Sequence, residues 1–141
     1  MKHILVPCDG SANALRALHY AAGLAQDNPA VRLELLHVLD PVLFRNPAAA
    51  LPPADLERRR ADELTRVLQP ARAILDAAGA RYQVHVRVGD PAGEIAAQVA
   101  ESGCDGVVMG TRGLGPIATV MIGSVASHLV PLVEVPVTLV R

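Results

Sequence analysis

The chain has 141 residues, with 13 Lys and Arg against 14 Asp and Glu, a formal net charge of −1 and 51% hydrophobic residues. Near-neutral charge excludes recruitment of nucleic acid by a basic field, and one Phe, two Tyr and no Trp leave almost no platform for stacked bases. The length suits one domain over 1–141, burying about two-thirds of its unfolded surface; no apolar run approaches a leader or a membrane span, so a cytoplasmic protein with no membrane partner is expected.

Strand-like and helix-like segments alternate along the chain, which predicts βαβ units around a parallel sheet. HILVPC (3–8) is a short apolar run suited to a central strand. Ser11 then caps a helix whose Ala14, Leu15, Leu18, Ala22 and Ala25 form one stripe. RLELLHVL (32–39) predicts the second strand, and a Pro- and Ala-rich loop occupies 40–53. A long helix follows from about Asp55 to Ala78, with the ERRR run at 57–60 on its solvated side. Pro70 lies inside it and predicts a kink or break. RYQVHVRV (81–88) alternates as a strand near the sheet edge does. Asp90 and Pro91 open a third helix that Gly103 closes. CDGVVM (104–109) is the fourth strand, a last helix begins near Ser124 with Pro131 bending it, and VPVTLV (135–140) is the fifth strand.

The strand ends with unusual chemistry are Pro7-Cys8-Asp9 and Met109-Gly110. Setting the first and fourth strands side by side gives the order 3-2-1-4-5 and one shared crevice at the reversal. That order places Cys8 and Cys104 at opposite ends of the sheet, roughly 16 Å apart, so both read as structural thiols rather than a disulfide, with a reactive Cys8 at the crevice mouth as the alternative. The five histidines show no metal-ligand spacing; His37 reads as a packed or edge residue and His128 as a surface one.

GTRGLGPIATVMIGS (110–124) holds four of the eleven glycines. Gly110 ends a strand where the chain turns, Gly113 admits a positive φ and close approach of a ligand, and Gly123 and Ser124 open a helix whose unpaired amides favour an anion. Ser124 can cap that helix or donate its hydroxyl to a phosphate. Arg112 reads equally as a phosphate contact or a solvated side chain, and Asp9 as a ligand contact or as the residue leading into the helix at Ser11.

Gly110, Thr111, Arg112 and Gly113, nine further residues, then Gly123 and Ser124 match the G-x2-G-x9-G-S/T pattern of ATP-binding universal stress proteins. ILVPCDGS, LLHVLDP and GSVASHLV…VPVTLVR resemble the same family, so the likeness spans nearly the whole chain. The resemblance implies a Rossmann-like α/β three-layer sandwich with a five-stranded parallel sheet of order 3-2-1-4-5. It implies that Asp9 receives the ribose hydroxyls beside Pro7 and Cys8, and that Val38 presents its backbone to adenine with Met109 covering the ring. Gly110, Arg112, Gly113, Gly123, Ser124 and Val125 would surround the phosphates of ATP, ADP or AMP, with Mg2+ or Mn2+ carried by the nucleotide. It also implies a homodimer paired through 135–140. The chain departs from the family at Cys8, commonly a β-branched residue or threonine, and at Ala126, which lacks a hydroxyl found beside the triphosphate in some members.

Three functions follow as expectations. The first is a nucleotide-dependent regulatory module in the stress response. The second is a nucleotide-independent dimeric stress or chaperone-like protein. The third is a weak ATPase or autophosphorylating enzyme with Ser124 or Thr119 as acceptor. Lys2 is the single lysine, so no Walker lysine exists, and Asp9 with a distant Asp40 supplies no metal-holding pair. Nothing in the residues is built for turnover.

Overall fold

The computed structural model describes residues 1–41, 52–111 and 123–141. Its elements run β1 (His3–Pro7), α1 (Ala12–Asp27), β2 (Arg32–Leu39), α2 (Pro53–Ala77), β3 (Arg81–Val88), α3 (Pro91–Ser102), β4 (Gly106–Gly110), α4 (Ser124–Leu129), a 3-10 turn at Val130–Leu132 and β5 (Val137–Val140). The strands form one sheet of order β3-β2-β1-β4-β5, all neighbours parallel. The order inferred from the strand ends is therefore the observed one.

Helices cover both faces, which explains why β1 and β4 are short, largely apolar runs. Ile4 and Val6 of β1 face a core shared with α1 and α2, where Leu18, Val67, Ala71 and Leu75 are buried. Leu5 faces the opposite core with Leu36, Ile95, Val107 and Leu129, under α3 and α4. Sealing one such leucine contributes about 1.5–3 kcal/mol. β3 lies at the edge, and none of its residues is fully buried. Tyr82, Val84 and Val86 join the first core, while His85 and Arg87 point to a polar layer with Glu34, Glu94 and Glu101.

The helix ends follow local chemistry. Ser11 Oγ accepts from the Ala14 amide at 3.2 Å and Asp90 Oδ2 from the Gly93 amide at 3.0 Å, each satisfying a donor that the first turn leaves open. Gly103 closes α3.

Several boundaries depart from expectation. α2 starts at Pro53, because proline at the first helical positions loses no bond. It then runs unbroken through Pro70 to Ala77. Pro70 is exposed, while Val67, Leu68, Ala71 and Leu75 are buried on both sides of it, so packing holds the helix across the missing hydrogen bond. At Pro131 the opposite occurs: α4 stops at Leu129 and a 3-10 turn takes over. β4 begins at Gly106 because the Cys104 amide is still tied to Val99 O of the α3 cap. The fifth strand is Val137–Val140, shorter than 135–140, with Pro136 contributing its carbonyl to the Val107 amide.

The ladder between β1 and β4 spans Ile4↔Gly106 and Leu5↔Val107, whereas β1 stays paired with β2 as far as Pro7↔Leu36. The two central strands therefore part at their carboxyl ends, and that divergence opens a crevice.

Candidate functional site

The crevice has a volume of about 210 Å3 and is walled by the ends of β1, β2 and β4 and by the first turns of α1, α3 and α4. Pro7, Cys8, Asp9, Val38, Met109, Gly110, Gly123, Ser124 and Val125 all line it. These are nine of the eleven residues singled out in the sequence; Arg112 and Gly113 lie outside the described residues, as do Pro116 and Thr119. A shallower groove of about 420 Å3 between α1 and α2, lined by His19, Gly23, Gln26 and Ile74 among others, involves none of them.

Each wall has its own cause. After Cys8 the chain turns into α1 through Gly10, whose φ of +85° is one that L side chains rarely adopt. Within that turn Asp9 Oδ1 accepts from the Ser11 amide at 2.9 Å, so the carboxylate is exposed yet held in place. Its two readings are thus not exclusive: one oxygen leads into the helix, and the other has no protein partner among the described residues. On the far wall Gly110 allows α1 to approach β4. A Cβ there would stand 2.5 Å from the Asn13 carbonyl oxygen. Thr111 anchors the strand end, its amide donating to Val140 O at 2.9 Å.

At α4 the cap is Gly123, and Ser124 is the first helical residue with no side-chain capping bond. Ser124 therefore does not cap this helix. The first intrahelical bond is Ser127 N to Gly123 O, so the amides of Ser124, Val125 and Ala126 have no helical acceptor. The opposite wall is apolar, with Leu36, Val38, Ile95 and Met109. The crevice thus joins an aliphatic slot, a fixed carboxylate and a set of open amides.

Both thiols are buried and free. Burial pushes the Cys8 thiol up, a shift that the Gly10 amide offsets in part and the Asp9 charge increases. Cys104 is pushed up to about 12, first by burial and then by the charges of Glu34 and Asp105. Burial thus disfavours, at both, the thiolate form that reactivity requires. Among the described residues no group of three or more His, Cys, Asp and Glu is placed to hold a metal ion, and no helix is long and apolar enough to cross a membrane.

Sequence reasoning missed part of the lining. Asn13, Leu36, His37, Pro91, Ile95 and Thr111 also face the crevice. Leu36 shares the β2 face of Val38 and was legible from alternation. Pro91 and Ile95 were not, because only the packing of α3 brings them there.

In open α/β sheets the crevice outside the strand ends, where the strand order reverses, is the usual place for a ligand, and the crevice of this α/β chain lies there. The model of the Universal stress protein family matches residues 1–141, and the chain belongs to that family. It is 34% identical to the universal stress protein in the QAH/OAS sulfhydrylase 3′ region of Thermus aquaticus, over 99% of this chain and 98% of that one. Among solved structures it resembles a universal stress protein family member from Burkholderia pseudomallei, with 30% identity, a TM-score of 0.75 and coverage of 99% and 95% of the two chains. It also resembles a universal stress protein crystallised in complex with cAMP, with 25% identity, a TM-score of 0.72 and coverage of 99% and 97%.

Proposed function

We propose that this chain is an adenine-nucleotide-binding regulatory module of the stress response, with ATP as the ligand the crevice suits best. The observation that carries the reading is the meeting, in one crevice, of the Asp9 carboxylate, the aliphatic slot and the open amides of α4. Asp9 would receive the ribose hydroxyls. Val38 and Met109 would enclose the adenine, which suits a chain with so few aromatic residues. The Ser124, Val125 and Ala126 amides and the Ser124 hydroxyl would take phosphate oxygens, each such bond to a charged group being worth about 1.5–3 kcal/mol. Arg112 and Gly113 would complete that end. The cAMP complex of a structural relative supports an adenine ligand. Asp9 is the one carboxylate among the described lining residues, so a divalent cation would arrive with the triphosphate and hold its charge. The reading is of binding and signalling rather than turnover.

We also propose a homodimer through β5. Its four residues are half-buried at the sheet edge, and Val130 and Leu132 in the turn that precedes it in the chain are 53% and 56% exposed. An apolar parallel edge of this kind is protected by pairing with a second copy.

Calorimetry with magnesium ATP tests the function. Wild-type protein binds in the micromolar range, and Asp9→Ala weakens binding about tenfold or more, a loss of roughly 1.4 kcal/mol. Absence of both heat and thermal shift at millimolar nucleotide would overturn the reading.

A further inference from the structure

His37 is 3% exposed and sits on β2 one residue before Val38. Its Nδ1 lies 2.9 Å from the main-chain oxygen of Cys8. A carbonyl oxygen only accepts, so Nδ1 carries the proton. Nε2, on the other side of the ring, is 3.4 Å from Glu63 Oε1 of α2 but makes no hydrogen bond. The ring is thus committed through Nδ1.

The Cys8 carbonyl is the first main-chain acceptor beyond β1, which ends at Pro7. The Cys8 amide still donates to Leu36 O at 2.8 Å, so the main chain of Leu36 faces β1. Two residues on, Val38 faces the same way. In a regular parallel ladder the next rung runs from the Val38 amide to the Cys8 oxygen. Among the described residues no such main-chain bond exists; the His37 side chain takes that oxygen in its place.

From this substitution we infer that His37 is a positioning residue for the ligand site: its Nδ1–H holds the carbonyl at the start of the Cys8–Ser11 turn, which fixes Asp9, and leaves the Val38 main chain facing the crevice for the edge of a purine. The inference rests on the nucleotide reading for its ligand but not for its geometry. The groups that face the ring are Cys8 from β1 and Glu63 from α2, with Arg66 of α2 nearby against Gly10. Val38 lines the crevice, and its open amide and carbonyl offer one donor and one acceptor, the pairing that adenine presents on its Watson–Crick edge and guanine does not match in the same sense.

The test uses three measurements on the full chain. First, long-range proton–nitrogen spectra of ligand-free wild-type protein should show His37 protonated at Nδ1; a neutral ring protonated at Nε2 alone would overturn the inference. Second, His37→Asn, whose amide nitrogen overlies Nδ1, should keep the Gly10, Ser11 and Val38 amide shifts and exchange rates near wild type, whereas His37→Leu changes them. If His37→Leu does not fold, His37→Gln, which places its donor at the Nε2 position, takes its part. Third, ATP affinity should fall about tenfold in His37→Leu or His37→Gln and return to within about threefold of wild type in His37→Asn. Equal loss in all variants, tracking their melting temperatures, would mean a merely structural histidine. If wild-type protein binds no nucleotide, the functional reading fails by itself, and the first two measurements still decide whether His37 holds the turn.

Discussion

A methyl group on Gly110 would stand 2.5 Å from the Asn13 carbonyl oxygen and 2.6 Å from its carbon. Those are backbone atoms, so the end of β4 and the start of α1 would have to separate. Gly110→Ala should therefore lower stability by about 1–3 kcal/mol, the usual cost of overpacking, and weaken ATP binding because both displaced elements wall the crevice. Denaturant melts and calorimetry on the variant check this; an unchanged midpoint would contradict the close approach. The need for glycine here was legible in part. The sequence marks a strand-to-helix turn at Gly110, but the reason for the glycine is a helix ninety-odd residues earlier in the chain, and only the fold brings it near. Asp9 and Ser11 were legible outright, since the Asp-Gly-Ser order is itself turn and cap chemistry. His37 reads from sequence as a packed or edge residue, and its burial makes it the packed one. Its bond to Cys8 O could not be read, because that bond replaces a rung whose absence depends on where β1 leaves the sheet.

Elements formed where apolar periodicity and caps agreed, and shifted where proline was weighed by local rules alone. Pro70 shows the limit. It removes one hydrogen bond and crowds the Arg66 carbonyl, yet buried Val67, Leu68, Ala71 and Leu75 hold α2 as one helix from Pro53 to Ala77. Tertiary packing offsets the local penalty, and the penalty remains stored at an exposed site. Pro70→Ala should raise stability by about 1–3 kcal/mol without altering the fold, seen as a higher melting temperature with unchanged circular dichroism. A fall in stability would show that the helix needs its proline. Pro131 yielded the other way because α4 is short, with Ala126 and Leu129 as its buried residues, so the chain changes to a 3-10 turn instead. Strand ends moved by one or two residues for a related reason: Cys104 and Val135 are apolar enough to read as strand, but their backbones are engaged by the α3 cap or lie before the β5 pairing.

For the whole molecule, the sheet order was legible because the strand ends that carry chemistry had to be neighbours, and β1 and β4 are neighbours. The crevice follows from that order, since central strands whose following segments leave to opposite faces must part at their carboxyl ends. What the order did not reveal is the contribution of α3, whose Pro91 and Ile95 narrow the apolar side. The polar layer of Arg87 with Glu94 and Glu101, 3.0 and 2.9 Å away, fastens α3 to the edge strand and so indirectly holds that wall. Family membership and the fold are settled by residues spread over the whole chain; the proposed ligand site rests on a few groups at one end of the sheet.

In the proposed function, main-chain donors at α4 and a single acid just past β1 together form the seat for an adenine nucleotide. Mapping amide shifts in nitrogen-15-labelled protein during titration with magnesium ATP tests this most directly. Binding in this crevice should give changes centred on Cys8–Ser11, Val38, Gly110–Thr111 and Gly123–Ala126, saturating together. Shifts centred on the groove between α1 and α2, or no shifts at millimolar nucleotide, would contradict it.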